Sequence, residues 1–348
     1  MSGLPLRVLV VGAAGYVGGE LLRLLLDHPQ VAAVTVLARN HSERPLAEEF
    51  PQLASRTSAC FAPWALAAQA AEHEVVMLAV DHGESAPLMP ELFSAAPRLV
   101  VDLSADFRVA DVALYEQYYG PHQAPELLPH FTYGLADVAG ARLYGTRAIA
   151  SPGCLATAAQ LALYPLRELI SETTPSLFAI TGSSGAGAKL RESTHHATRA
   201  HNLFAYNVLG HRHEAEILHG WRQWTGRSAA SARLLAHSGP FVRGIYLTLH
   251  VALHEPLAAG AVQAALHAAY QGRPLLRVLA TPPELTHAVG TCFALAHAAQ
   301  SVDGKEIQVM IAIDNLLKGA AGQAIQAMNL ALGLPEAAGL GAVGAFPY

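Results

Sequence analysis

Residues 6–19 read Leu6-Arg7-Val8-Leu9-Val10-Val11-Gly12-Ala13-Ala14-Gly15-Tyr16-Val17-Gly18-Gly19, a short β-branched run that breaks into glycines. A helical pattern, GELLRLLLDH (19–28), follows and stops before Pro29. Strand, glycine turn and helix in this order predict a dinucleotide-binding unit. Glycine lets the backbone approach a pyrophosphate, which then rests on the helix N-terminus. The spacing is G-x-x-G-x-x-G (Gly12, Gly15, Gly18), and Ala14, Tyr16 and Val17 join the candidate cofactor contacts. The competing reading is a glycine-rich turn without a ligand.

The next predicted strand, Val34–Ala38, leads into Ala38-Arg39-Asn40-His41-Ser42. An acidic residue at this point would grip the adenosine ribose of NAD. Arg39, with Ser42 close behind it, instead fits a 2′-phosphate and points to NADP(H); the alternative is a solvated loop arginine. Two near-continuous apolar runs, EVVMLAV (74–80) and RLVVDL (98–103), read as parallel strands covered on both faces. Ligands gather at the carboxyl ends of such strands, so the loops Asp81–Ser85 and Ser104–Arg108 belong to the candidate site. Arg108 is a candidate anion clamp, its bland alternative being a salt bridge to Asp106 or Asp111.

Composition limits the function classes. With 348 residues, 52% hydrophobic and 14% charged, the chain is long enough for two cored domains. A formal charge of -5 argues against a nucleic-acid or anionic-membrane partner. Cys60, Cys154 and Cys292 form neither a disulfide framework nor a metal-ligand spacing, which fits a reducing cytoplasm. No apolar run reaches the roughly 18 residues a membrane span needs.

The second informative stretch is Ala150-Ser151-Pro152-Gly153-Cys154-Leu155-Ala156-Thr157. Pro152-Gly153 reads as a tight turn, and TAAQLALYPL (157–166) as a buried helix. Cys154 is thereby expected near a helix start, where free N–H groups and the dipole lower a thiol pKa from about 8.5 toward neutrality. Downstream come a strand at Leu177–Ile180 and a second glycine-rich loop, Thr181–Lys189, expected as a flexible wall of the site. A cluster rich in histidine and arginine follows: Ser193-Thr194-His195-His196, Arg199, His201, Tyr206, and Gly210-His211-Arg212-His213-Glu214-Ala215-Glu216. H-E-x-x-H is missing, so no metal is expected; one histidine acting as acid–base beside Cys154 fits better. Further strands are predicted over Phe241–Val251, entered through the Arg243-Gly244 turn, and over Val309–Ile313, with a last helix from about Ala324 to Leu332.

These pieces together resemble the N-acetyl-γ-glutamyl-phosphate reductases of arginine biosynthesis, within the semialdehyde dehydrogenases. The stretches that carry the resemblance are 11–25, VDLSADFR (101–108), 151–166, TGSSGAGAK (181–189), 205–217, VRGI (242–245) and IDNLLKGAAGQAIQAMNL (313–330). The resemblance implies a cytoplasmic, NADPH-dependent acyl-phosphate reductase that forms a semialdehyde through a cysteine thioester. Cys154 is the implied nucleophile, and His211 or His213 the acid–base residue, with preference for His213. Arg108 matches a phosphate contact; Asn315 and Gln323 match the region closing on the nicotinamide, and Ser184 and Gly185 join the cofactor set. Arg199, Arg212 and Arg243 are candidates for the substrate carboxylate.

The expected architecture is α/β: a Rossmann-type doubly wound parallel sheet (1–153 and 318–348) and an inserted mixed α/β catalytic and oligomerisation domain (154–317). A homodimer or homotetramer is implied. Ser151, Leu155-Ala156 and Cys292 depart from the family pattern, which leaves the acyl group open between N-acetyl-glutamyl, N-succinyl-glutamyl and an aminoadipyl group on an acidic carrier protein. The reading from another class is a non-catalytic NADP-sensing module.

Overall fold

The computed structural model describes residues 5–170 and 173–344, and the chain divides into two compact units. The first takes in the chain up to Ala110, His122–Pro152 and Ala320–Gly341. The second takes in, among the described residues, Asp111–Pro121, Gly153–Gly319 and 342–344. Residues 111–121, expected in the nucleotide-binding half, thus group with the second unit. The reason is local: Asp111 caps the helix Val112–Tyr119, and Tyr119 Oη donates to the carbonyl of Arg212 at 3.2 Å.

The first unit holds six parallel strands: β1 (Leu6–Val11), β2 (Val31–Leu37), β3 (Val75–Leu78), β4 (Leu99–Asp102), β5 (Thr132–Tyr133) and β6 (Ala148–Ala150). Their order is β2-β1-β3-β4-β6-β5, so the chain leaves β1 to one side and returns on the other. That reversal makes the carboxyl end of β1, where Gly12 sits, the topological switch point at which such sheets bind ligands. Leu9, Val11, Val76, Leu78 and Val100 pack on Leu66, Ala70, Met89 and Leu92 of two helices. The alternate residues Val8, Val10, Val75, Met77, Leu99 and Val101 are buried as well. Covering on both faces explains the continuous apolar runs in the sequence.

The second unit holds seven strands: β7 (Ser176–Thr181), β8 (Phe204–Ala205), β9 (Arg233–Ser238), β10 (Ile245–Ala252), β11 (Leu276–Val278), β12 (Ala294–Gln300) and β13 (Glu306–Ile313). The sheet is mixed, in the order β11-β12-β13-β10-β7-β9-β8; among the described residues β7/β9 and β11/β12 are parallel and the other pairs antiparallel. Helices Cys154–Leu163 and Ala261–Tyr270 pack on one face. Along β10, Ile245, Leu247, Leu249 and Val251 are buried on that face, while Tyr246, Thr248 and His250 alternate outward. Among the described residues, no helix is long and apolar enough to cross a membrane.

Element starts differ from the sequence reading by a few residues in several places: β2 begins at Val31 and β13 at Glu306, each three residues earlier than expected. The strand expected over 241–251, entered through an Arg-Gly turn, has that turn at Arg243-Gly244, with Gly244 at φ 112°, and its regular part runs from Ile245. The last helix, expected from Ala324, runs Gly322–Leu332 and follows a π-helical turn, Leu317–Ala321.

Candidate active site

Within the first unit the glycine turn has the shape a dinucleotide requires. Gly12 adopts φ 81°, and a Cβ there would lie 2.7 Å from Val80 Cγ1 and 2.9 Å from the Ala79 carbonyl oxygen. A Cβ on Gly18 would fall 2.2 Å from the Ala13 carbonyl oxygen, so the helix Tyr16–Leu26 packs directly against the strand end. A Cβ on Gly15 would meet nothing within 4 Å. Gly15 caps that helix without a side-chain bond, and no acidic residue lies in its first turn. An open, uncapped N-terminus at the switch point fits a pyrophosphate. Ala14, Tyr16 and Val17 belong to the same turn and helix start. Gln323 is fully buried; its Nε2 donates to the Gly134 carbonyl at 3.0 Å, while Oε1 is a buried acceptor with no partner among the described residues.

Arg39 and Ser42 are exposed just beyond β2, and the Arg39 guanidinium lies 5.0 Å from the ring centre of Trp64. The loop after β4 is tightly bonded. Asp102, fully buried, accepts from the Ser104 N–H (2.9 Å), the Ser104 hydroxyl (2.8 Å) and the Ser85 hydroxyl (3.0 Å). Burial and the neighbouring Asp106 charge push its carboxyl up to about 6. Asp106 takes the N–H groups of Gly83, Ser85 and Ala86. Arg108 is buried and donates from Nε to the Ser151 carbonyl (2.7 Å) and from Nη2 to that of Leu103 (2.6 Å). Asp111 caps the helix Val112–Tyr119, accepting the Leu114 N–H.

In the second unit Cys154 is the first residue of its helix, with Gly153 as N-cap. The sequence places the helix start three residues later; the added turn is helical because Leu155 and Ala156 are buried with the residues that follow. Gly153 donates its N–H to the buried Glu216 carboxylate at 2.9 Å. His213 opens the helix His213–Thr225, three residues before Glu216 and thus on the same helical face. Three rings then line up: Tyr206 meets His211 edge-on at 5.3 Å, and His211 meets His213 at 4.9 Å. Burial, and then the charge of Cys154, hold the Tyr206 hydroxyl well above its ordinary pKa. Burial, aided by Arg212, pushes His211 down to about 4.

The three arginine candidates part ways. Arg199 is buried, donates to the Gly239 carbonyl, lies 5.5 Å from the ring centre of Phe204 and keeps a buried Nε with no partner among the described residues. Arg212 is exposed over Tyr119. Arg243 forms a two-pronged pair with the fully buried Asp314, at 2.9 and 3.1 Å. The glycine-rich loop expected as a flexible wall is pinned at its start: Gly182, Ser183 and Ser184 donate their N–H groups to carbonyls of Gly244, Phe241 and Val242. Asn315 joins the two sides, donating to Ser184 Oγ (3.0 Å) and accepting from the Gly244 N–H (2.7 Å). Gly185 follows, exposed. Among the described residues no group of three or more His, Cys, Asp or Glu is arranged to hold a metal ion.

Thus Gly12–Gly18, Arg39, Ser42, Arg108 and Gln323 belong to the first unit. Cys154, His211, His213, Arg199, Arg212, Arg243, Ser184, Gly185 and Asn315 belong to the second. Glu216, Tyr206 and Asp314 carry no role in the sequence reading. For Glu216 a signal existed, the His-x-x-Glu spacing; for the other two only the fold reveals the neighbours.

Two family models match: "Semialdehyde dehydrogenase, NAD binding domain" over residues 7–144, and "Semialdehyde dehydrogenase, dimerisation domain" over 154–315. An N-acetyl-gamma-glutamyl-phosphate reductase of Nitrosococcus oceani is 38% identical over 98% of this chain and 100% of its own. The chain belongs to the N-acetyl-gamma-glutamyl-phosphate reductase family of semialdehyde dehydrogenases. A member from Halothermothrix orenii is 35% identical over 98% of this chain and 100% of its own. A [LysW]-L-2-aminoadipate 6-phosphate reductase of Deinococcus radiodurans is 38% identical over 98% of each chain. The fold is also that of the aspartate semialdehyde dehydrogenase II of Vibrio cholerae (TM-score 0.71, 15% identity, 94% of this chain and 98% of that one). Family membership makes the protein an oxidoreductase with a nicotinamide cofactor.

Proposed function

We propose that this protein reduces N-acetyl-γ-glutamyl phosphate to the 5-semialdehyde with NADPH, through a thioester on Cys154. The observation that carries the reading is Cys154 as the first residue of a buried helix, in the unit that also holds the paired rings of His211 and His213. His213 takes the proton from Sγ, the Cys154 thiolate attacks the acyl carbon, and phosphate departs. Helix-start N–H groups steady the developing oxyanion; one such donor is typically worth about 3 kcal/mol. Once hydride has reached the thioester carbon, the C–S bond breaks, the aldehyde leaves and His213 returns its proton to Sγ. Arg199, with its spare buried Nε, is assigned the substrate carboxylate. The dinucleotide, when bound, supplies the hydride; Gly12–Gly18 would hold its pyrophosphate, Arg39 and Ser42 its 2′-phosphate, and Gln323 Oε1 an amide N–H. Ser184, Gly185 and Asn315 stay with the cofactor set as one pinned wall.

A second reading, the same chemistry on a carrier-bound aminoadipyl phosphate, is favoured by the Deinococcus radiodurans relative at 38% identity. The deciding experiment is the reverse reaction: NADP reduction with N-acetyl-glutamate semialdehyde and phosphate. Phosphate-dependent turnover supports the first reading. No turnover there, with turnover on the carrier-bound or succinylated semialdehyde, replaces it.

We further infer a homodimer. Phe178 and Leu235 stand paired across β7 and β9 on the sheet face away from the two helices, 41% and 44% exposed. The matching family model for this region is a dimerisation domain.

A further inference from the structure

Gly319 lies in the π-helical turn Leu317–Ala321, its N–H on the Asp314 carbonyl at 2.9 Å. Its backbone is not in the left-handed region, so conformation alone does not call for glycine here. Glycine is disfavoured against alanine inside a helix, so some other demand holds it. That demand is visible in the packing. A Cβ on Gly319 would lie 2.8 Å from Cys154 Cβ, 3.2 Å from Cys154 Cα and 3.3 Å from the Asp314 carbonyl oxygen.

The turn has little room to retreat. The Asp314 carboxylate accepts the N–H groups of Leu316 (2.8 Å), Leu317 (3.0 Å) and Gly290 (2.8 Å), besides both prongs of Arg243. On the other side Cys154 is fixed as the first residue of a helix whose next nine residues are buried. Two anchored backbones therefore meet at one missing methyl group.

We propose that Gly319 is the positioning residue for Cys154: the bare π-turn, locked by Asp314, sets where the thiol stands. The proposal rests on Cys154 being the nucleophile and adds what holds it in register. Gly319→Ala tests it, because helix propensity alone expects the substitution to be harmless. Alkylation by iodoacetamide is followed at the Cys154 peptide by mass spectrometry, since Cys60 is exposed and reacts too. The expected result is a displaced pH profile of Cys154 alkylation and a kcat lower by about a hundredfold, the scale of an ångström misplacement. KM for NADPH should stay within about twofold, the sign of a transition-state defect rather than a binding one. Wild-type alkylation and kcat in Gly319→Ala overturn the proposal.

A stability cycle covers the case in which Gly319→Ala folds poorly. In a Cys154→Gly background the nearest contact, Cys154 Cβ, is gone and only the looser ones to Cys154 Cα and the Asp314 carbonyl remain, so Gly319→Ala should lower Tm by less than it does in the parent. An equal loss of Tm in both backgrounds overturns the proposal. Failure of the nucleophile reading shows separately, as full turnover by Cys154→Ala.

Discussion

The backbone N–H of His213 donates to Nδ1 of His211 at 3.1 Å. An imidazole that accepts at Nδ1 carries its proton on Nε2, so the His211 ring is a fixed neutral donor rather than a base. Its pKa of about 4, imposed by burial and then Arg212, keeps it so across the working range. His213 is half-buried and opens the helix His213–Thr225. His213→Asn should therefore lower kcat by roughly 10²–10⁴-fold, the usual worth of a general acid–base residue. His211→Asn should cost less, acting through the turn it holds. A larger loss in His211→Asn than in His213→Asn, measured in the same assay, would reverse the two roles.

The same burial makes His211 a handle on acid stability. Its folded pKa lies below the unfolded value of about 6.5, so from there down to about 4 the unfolded chain takes up a proton that the folded one does not. Stability is complete above the upper limit and is lost as pH falls, by up to about 1.4 kcal/mol per unit. Asp102 runs the other way. Its folded pKa of about 6 is raised, so its contribution is full below the unfolded carboxylate pKa and lost as pH rises through 6. Thermal melts of His211→Asn should show a flatter acid limb than the parent. Asp102→Asn should compare better with the parent at neutral than at acid pH. A parallel shift of either variant across the whole range would refute its part.

The two local signals in the sequence were legible for a physical reason: each is a glycine turn handing the chain over to a helix. The strand β1, the switch-point turn and Cys154 at a helix start all follow from short-range chemistry. The middle of the second unit was not legible. Helix His213–Thr225, strand β9 and strand β12 mix histidine, alanine and arginine without a clean period, and they are fixed by pairing with distant partners. Arg243 reads in the sequence as a carboxylate ligand for the substrate, yet it pairs with Asp314, seventy-one residues along the chain. Gly319 facing Cys154 is likewise a relationship only the folded chain can show.

The proposed preference for NADPH rests on Arg39. The exposed guanidinium is held over the Trp64 ring at 5.0 Å, beyond the end of β2 and with Ser42 nearby. Stacking of this kind contributes about 0.5–1 kcal/mol at exposed sites and restricts where the cation can point. Arg39→Asp should raise KM for NADPH by tenfold or more, roughly the 1.4 kcal/mol of one charge-assisted contact, and improve NADH. Trp64→Ala should weaken NADPH use in the same direction by a smaller factor. Equal affinities for NADPH and NADH in the parent protein, measured by fluorescence titration, would remove the 2′-phosphate assignment.

The outer face of the seven-stranded sheet gives the last prediction. Leu235, Phe178, Thr248, Met310 and His297 follow one another across β9, β7, β10, β13 and β12 by direct strand pairing. Leu235, Phe178 and Met310 make this row largely apolar, and the opposite face of the same sheet is already filled by helices. A second copy laid on it would bury Phe178 and Leu235 together. Phe178→Glu would then place an unpaired carboxylate in that contact, a penalty of several kcal/mol unless the surfaces part. Light scattering at micromolar concentration should show the parent as a dimer or a multiple of one and Phe178→Glu as a monomer. Val302→Glu, a change at a fully exposed position in the β12–β13 turn, should leave the assembly intact. An unaltered mass for Phe178→Glu would place the subunit contact elsewhere on the second unit.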